Sequence, residues 1–228
     1  MLRSLTTTVA LAVAAVVFAV AMAEAAPLTT IYGNLGTVNA STTSNTVGYL
    51  SLSQPNQFQA QGFTVGNQVG SSAWDIQEIQ VGLGSSGAPS PVVGIYSSSP
   101  APASLLATFT GTTSVSTKGL YTFTGSLTAL QNTSYWVVLS NANSASLESY
   151  EWYTNDSFTT PTQQNASNVN YLATLERNGE EGSWTNAIPS LSISVSAVAV
   201  PEPPTYALAM VAGVLGAGAV ARRRSKKA

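Results

Sequence analysis

Residues 191–200 read LSISVSAVAV, in which Leu191, Ile193, Val195 and Ala197 alternate with Ser192, Ser194 and Ser196. A period of two places alternate side chains on opposite faces of an extended chain, so this segment predicts a β-strand over 191–199 with one buried face and one wet face. Short runs of the same kind recur upstream at 58–65, 74–83, 92–97, 105–110, 120–124, 134–140 and 151–154, separated by clusters of Gly, Pro, Asn and Ser. Strands at this spacing argue for an all-β domain, an antiparallel β-sandwich of jelly-roll-like form.

Nothing between these runs competes as a helix. Ser, Thr, Gly and β-branched residues dominate, and no apolar stripe of 3.6-residue period lasts three turns. The turns are explicit: Gly82, Gly84 and Gly87 with Pro89 and Pro91 break one strand, and SSSPAPAS at 97–104 supplies a polar connection. In LQNTSYWVVLS, at 130–140, a turn through Asn132 and Thr133 feeds a strand with Tyr135, Val137 and Leu139 on one face and Trp136, Val138 and Ser140 on the other. Both faces are largely apolar, which predicts a central strand. The polar segment 154–170 reads as a long loop. The word TFTG occurs at 108–111 and again at 122–125, a coincidence expected in so Thr-rich a chain.

Composition removes whole classes of chemistry. Between residues 26 and 199 the acids are Asp75, Glu78, Glu148, Glu151, Asp156, Glu176, Glu180 and Glu181, and the bases are Lys118 and Arg177 alone. So acidic a surface does not bind a nucleic-acid backbone, which requires clustered cations. The chain has no cysteine, hence no disulfide, thiolate nucleophile or thiolate metal ligand, and no histidine, hence no Ser-His-Asp or Cys-His catalysis and no imidazole-bound zinc. No catalytic residues, metal ligands or cofactor are expected, and the domain reads as non-enzymatic.

Three weaker constellations remain open at this level. Glu148 and Glu151 flank Tyr150 and precede Trp152 and Tyr153, a patch in which Trp152 and Tyr153 could stack on a sugar; alternatively, Glu151 and Tyr153 are solvent-facing neighbours of a buried Trp152. Asp75 with Glu78, Asn155 with Asp156, and RNGEEG at 177–182 offer hard oxygen ligands for calcium, but none has EF-hand spacing, and solvated charge on turns is the better reading. Sequons begin at Asn39, Asn132, Asn155 and Asn165, as Ser/Thr/Asn-rich composition readily produces.

The two ends are of different character. Arg3, an apolar stretch from Val9 to Met22 and small residues around Ala21, Ala23 and Ala25 follow the order of a secretory signal peptide over 1–25, an uncleaved anchor being the alternative. Residues 26–199 then form the ectodomain and 200–228 a tail, VPEPPTYALAMVAGVLGAGAVARRRSKKA. Prolines end the preceding strand and leave an extended linker over 200–204. Residues 204–221 carry no charge and, as a helix, would span about 27 Å, enough for a single transmembrane helix. Arg222, Arg223, Arg224, Lys226 and Lys227 would hold the end in the cytoplasm as a stop-transfer cluster. A plain C-terminal anchor satisfies the same physics.

The three-part order of this tail resembles the PEP-CTERM sorting signal of Gram-negative bacteria, with Pro201, Glu202 and Pro203 as the motif. The resemblance implies recognition by an exosortase, a membrane cysteine peptidase, with cleavage near those residues after signal peptidase has acted at the other end. It further implies an inner-membrane intermediate and delivery to the cell envelope, cell surface or extracellular matrix, where exopolysaccharide is a possible partner. Pro204 stands where a small residue is usual.

In the body of the chain, AQGFTVGN (60–67), IQEIQVGLG (76–84), VVGIYSSSPAPASLLATFTG (92–111), GLYTFTGSLTALQNTSYWVVLSNANS (119–144) and YEWYTND (150–156) together resemble the choice-of-anchor R domain, a bacterial surface module. That resemblance implies a structural or interaction role and carries no catalytic set. A carbohydrate-binding or adhesive module using Trp74, Trp152, Tyr153 or Trp184 is the alternative.

Overall fold

The computed structural model describes residues 26–35, 43–48, 56–67, 71–84, 90–142, 149–154, 171–179, 181–187 and 191–201. Among these the secondary structure is all β: β1 (Thr29–Gly33), β2 (Ser44–Gly48), β3 (Gln57–Thr64), β4 (Ser71–Gly84), β5 (Pro91–Ser98), β6 (Pro102–Gly111), β7 (Gly119–Leu130), β8 (Ser134–Asn141), β9 (Ser149–Tyr153), β10 (Tyr171–Asn178), β11 (Thr185–Ala187) and β12 (Ile193–Pro201). Residues 1–25, 155–170 and 202–228 lie outside the described residues, so the expected signal peptide, long loop, transmembrane helix and basic end fall there. No helix among the described residues is long and apolar enough to cross a membrane.

Every strand pairs antiparallel in one hydrogen-bonded network, ordered β1-β12-β4-β7-β6-β5-β8-β3-β10-β11. Strands β2 and β9 pair with each other and bridge β3 to β4, closing a circuit through the middle of that order. Tyr32 of β1 stacks on Phe63 of β3 with ring centroids 5.5 Å apart, although many strands separate them in the pairing order. Around this contact one core gathers Trp74, Ile76, Ile79 and Val81 from β4, Val93 and Ile95 from β5, Phe109, Phe123, Val137, Leu139 and Trp152.

The strand predicted at 134–140 is β8, and it sits between β5 and β3. Its two faces separate as expected, Tyr135, Val137 and Leu139 into the main core and Trp136 and Val138 into a second cluster with Phe58, Ala60 and Leu175. Asn132 makes the preceding turn at φ 56°, a left-handed conformation that Asn tolerates because its short polar side chain hydrogen-bonds locally. Its N–H donates to Val65 O at 2.8 Å and its Nδ2 to Asn67 Oδ1 at 2.8 Å.

Four strands, β1, β2, β10 and β11, escape the sequence reading. All are short or broken by irregular register. In β10 a shift between Tyr171 and Thr174 interrupts the pairing to β3. Strand β4 was legible despite its imperfect alternation: an irregularity between Ile76 and Glu78 moves the buried set from Trp74 and Ile76 to Ile79, Val81 and Leu83. Strand β7 runs beyond 124 to Leu130, and β6 begins at Pro102, inside the segment read as a connection.

The opening stretch needs a larger correction. Its inward residues are buried as predicted, but the serine face is not wet: Ser192, Ser194 and Ser196 are also buried. Strand β12 lies between β1 and β4, so small side chains on its second face are screened by both neighbours, with Ser196 Oγ 3.4 Å from Thr30 Oγ1. Asn34 extends that pairing as a two-point clamp, its N–H donating to Ile193 O at 2.8 Å and its Oδ1 accepting from Ile193 N at 2.9 Å.

The repeated TFTG word also proves structural. Thr110 pairs with Thr124, each hydroxyl lying 3.5 Å from the other residue's carbonyl oxygen, and Phe109 and Phe123 are both buried. Each glycine lies beneath the other copy's phenylalanine. A Cβ on Gly125 would fall 2.9 Å from the Phe109 ring, and one on Gly111 would fall 2.7 Å from the Phe123 ring and closer still to Thr122 O. Gly125→Ala is expected to destabilise by about 1–3 kcal/mol through overpacking, and Gly111→Ala by more because backbone cannot swing aside. Urea unfolding of the two variants checks the order.

Candidate functional site: the acid-aromatic strand and the C-terminal junction

Strand β9 carries the acid-aromatic patch. Its side chains alternate strictly, with Tyr150 and Trp152 buried and Glu151 and Tyr153 half-buried. Trp152 is 0% exposed, and its Nε1 donates to Ser192 O at 3.0 Å, an acceptor shared with Gly82 N at 3.1 Å. It therefore presents no face to a sugar, and the proposed glycan contact through Trp152 is withdrawn. Burial follows from position: β9 passes from β4 to the start of β12, so its inward residues enter the main core.

Tyr153 points outward but is not a free stacking platform. Lys118 Nζ lies 4.1 Å from its ring centroid, and the ring rests on Gly84, where a Cβ would come within 2.6 Å of Cε2. Glu151 is engaged by β2, accepting from Ser44 Oγ at 2.6 Å and Thr46 Oγ1 at 3.4 Å. Those bonds hold the carboxylate as a strand-pairing group. Glu148, its proposed companion, lies outside the described residues.

The remaining aromatic candidates fare similarly. Trp74 is buried, and Trp184 is half-buried beneath Arg177, whose Cζ lies 4.9 Å from the Trp184 ring and 4.4 Å from that of Phe58. Both Lys118 and Arg177 thus cap aromatic rings. Asp75 accepts from Gln77 Nε2 at 2.9 Å and Ser126 Oγ at 2.8 Å, a surface polar network on β4 and β7. Among the described residues no group of three or more acids gathers where it could hold a metal ion.

Tyr150 is the one described group with a clearly displaced titration. Burial pushes its hydroxyl well above the usual tyrosine value of 10.0, and the hydroxyl donates to Ser140 O at 2.9 Å. The folded state therefore holds this proton more tightly than the unfolded chain, so the contribution is fully present below pH 10 and is lost as pH rises beyond it. Stability should fall with pH in that alkaline window, and Tyr150→Phe should flatten the fall in a series of urea melts.

At the C-terminal junction the structure shifts a boundary. The domain was expected to end at 199 with a free linker from 200, but β12 runs to Pro201, with Val200 opposite Ala73 and Pro201 opposite Ser71. Proline is tolerated there because it is the last residue of the strand and follows a register irregularity, where no ladder N–H is required. Of the sorting motif, Pro201 therefore lies in the sheet, whereas Glu202 and Pro203, and with them Arg222, Arg223, Arg224, Lys226 and Lys227, fall outside the described residues.

A polar hub that sequence reading missed holds this end of the fold together. Gln61 is fully buried and meets all its hydrogen-bonding capacity: Nε2 donates to Gly62 O at 3.1 Å and Ala173 O at 3.2 Å, while Oε1 accepts from Thr174 Oγ1 at 3.1 Å and Leu191 N at 3.3 Å. The sequence signal was the alternation of the amides Gln59 and Gln61 with apolar residues in FQAQGF. The fold and these contacts define an all-β antiparallel domain. Comparison with protein-family models and with curated proteins finds no match to this chain.

Proposed function

We propose that the chain is an exported, non-enzymatic surface protein: a signal peptide at 1–25, a two-layer, jelly-roll-like β-sandwich of the choice-of-anchor R kind, and a PEP-CTERM-like tail processed by an exosortase. The observation that carries this reading is the tail's order, Pro201-Glu202-Pro203, then eighteen uncharged residues to Ala221, then five cations within six positions. Cleavage requires an extended, accessible chain, a hydrophobic helix supplies temporary retention, and the cations fix its orientation. The end of β12 at Pro201 supports it further, since a cut at Glu202 or beyond leaves every rung between β12 and β4 in place.

The molecular role is structural or adhesive. A sequence without histidine or cysteine has no imidazole base and no thiolate, and Asp75 of β4 and Glu151 of β9 are engaged by hydroxyl and amide donors. The layered arrangement draws support from the Tyr32–Phe63 stack between distant strands. Intact-mass measurement of the mature protein from cells with and without the exosortase tests the reading. A C-terminus near residues 201–203 is expected only where the peptidase is present. An identical, intact tail in both would reduce residues 204–228 to a plain anchor.

A further inference from the structure

We propose that the open edge of β6 is an interaction surface that pairs, antiparallel, with β6 of a second copy of this chain. Strand β6 is bonded to β5 along one edge, from Val93 opposite Phe109 to Ser98 opposite Pro102. Among the described residues its other edge pairs with β7 only at Thr110 and Gly111, with the Phe109 ring still packed on Gly125. Among the described residues, 102–108 therefore present an unpaired row of backbone donors and acceptors roughly 23 Å long.

Folded proteins blunt such edges with charge, proline, bulges or brevity. The two ends of the pairing order use brevity, β1 having 5 residues and β11 only 3. Strand β6 has 10 residues, its one proline, Pro102, stands at the very start, and its register with β5 shifts on both sides of the Tyr96–Leu105 pair, so the edge is irregular there but uncharged. No charged residue occurs anywhere from Ile79 to Thr117. Leu105 and Leu106 are 53% and 44% exposed on this strand. Leu105 converges with the Tyr96 ring over Gly94, where a Cβ would lie 2.9 Å from each, so the exposed leucine is held in place.

A second copy fits this edge better than an unrelated partner. The domain carries eight acids against two bases, so two copies repel over most of their surfaces. They approach without that cost along an uncharged strand. A strand set antiparallel to itself about a two-fold axis is self-complementary in its hydrogen bonds, and it gives each exposed leucine an apolar cross-strand neighbour.

The absence of native cysteine makes the test direct. Directly opposed antiparallel residues bring Cα atoms to about 4.5–5.5 Å, within disulfide range. Single-cysteine variants Ser104→Cys, Leu106→Cys and Thr108→Cys of the full chain, mildly oxidised, should give a disulfide-linked dimer at one or more positions at least tenfold above Gln77→Cys on exposed β4. Adding Leu105→Lys to the crosslinking variant should reduce the yield about tenfold while near-ultraviolet circular dichroism is unchanged. Crosslinking no greater than at Gln77→Cys, or undiminished by the added lysine, would overturn the proposal.

Discussion

Trp152→Ala is expected to destabilise the domain by about 3–5 kcal/mol, the range for removing a large aromatic side chain from a packed core. The indole is 0% exposed, so truncation leaves a cavity among Leu83, Leu191 and Ile193 that neighbouring strands cannot fill by collapse. It also removes the Nε1 donor from Ser192 O, although Gly82 N still serves that acceptor. Most of the loss is therefore packing. Trp152→Phe, which keeps much of the volume and drops only the N–H, should cost less than half as much. Denaturant unfolding followed by the remaining tryptophans measures both. Any sugar binding lost in Trp152→Ala would report unfolding, because the ring is out of reach of a ligand; the same assay on Trp184→Ala, at a half-buried ring, is the informative one.

Gln61→Leu should be comparably damaging, by about 3–5 kcal/mol, for the opposite reason. Volume is nearly conserved, but the Leu191 N–H, the Ala173 and Gly62 carbonyls and the Thr174 hydroxyl each lose a partner in a dry interior. Each such loss costs about 1–3 kcal/mol where no replacement is found. Gln61→Glu separates bonding from shape: it keeps the acceptor for Leu191 N and Thr174 but buries a carboxyl beside two carbonyls, so its stability should fall as pH rises and the group is forced to ionise. Thermal unfolding at acidic and neutral pH reads that difference. Should Gln61→Leu prove as stable as the parent, the hub would be incidental to the junction of β3, β10 and the start of β12.

Much of this architecture was legible in the residues. The period-two runs in 58–65, 92–97 and 134–140 announced β3, β5 and β8, and the opposed faces of SYWVVLS were assigned correctly because both are apolar and an extended chain can place them only on opposite sides. The buried alternative for Trp152 was also available, since an aromatic flanked by Glu151 and Tyr153 is ordinary strand alternation. What pattern could not supply was the identity of the neighbours. Whether Ser194 is wet depends on β1 lying beside β12, and β1 is far away in sequence, Thr30 and its partner Ser196 being 166 residues apart.

By itself, then, the sequence determined that the domain is built of strands, that histidine and thiol chemistry are absent, and that a proline-rich, then uncharged, then cationic stretch follows the last strand. Those properties are local: they depend on alternation, on composition and on proline's missing donor, each readable within a few residues. Tertiary structure alone decided that the two TFTG words lie in register with each glycine beneath the other's phenylalanine, that Trp152 points into the core, that Gln61 binds three segments, and that among the described residues β6 pairs with β7 only at Thr110 and Gly111. These depend on which strands become neighbours, and that is chosen by the simultaneous burial of side chains far apart in the chain, where no local pattern carries the information.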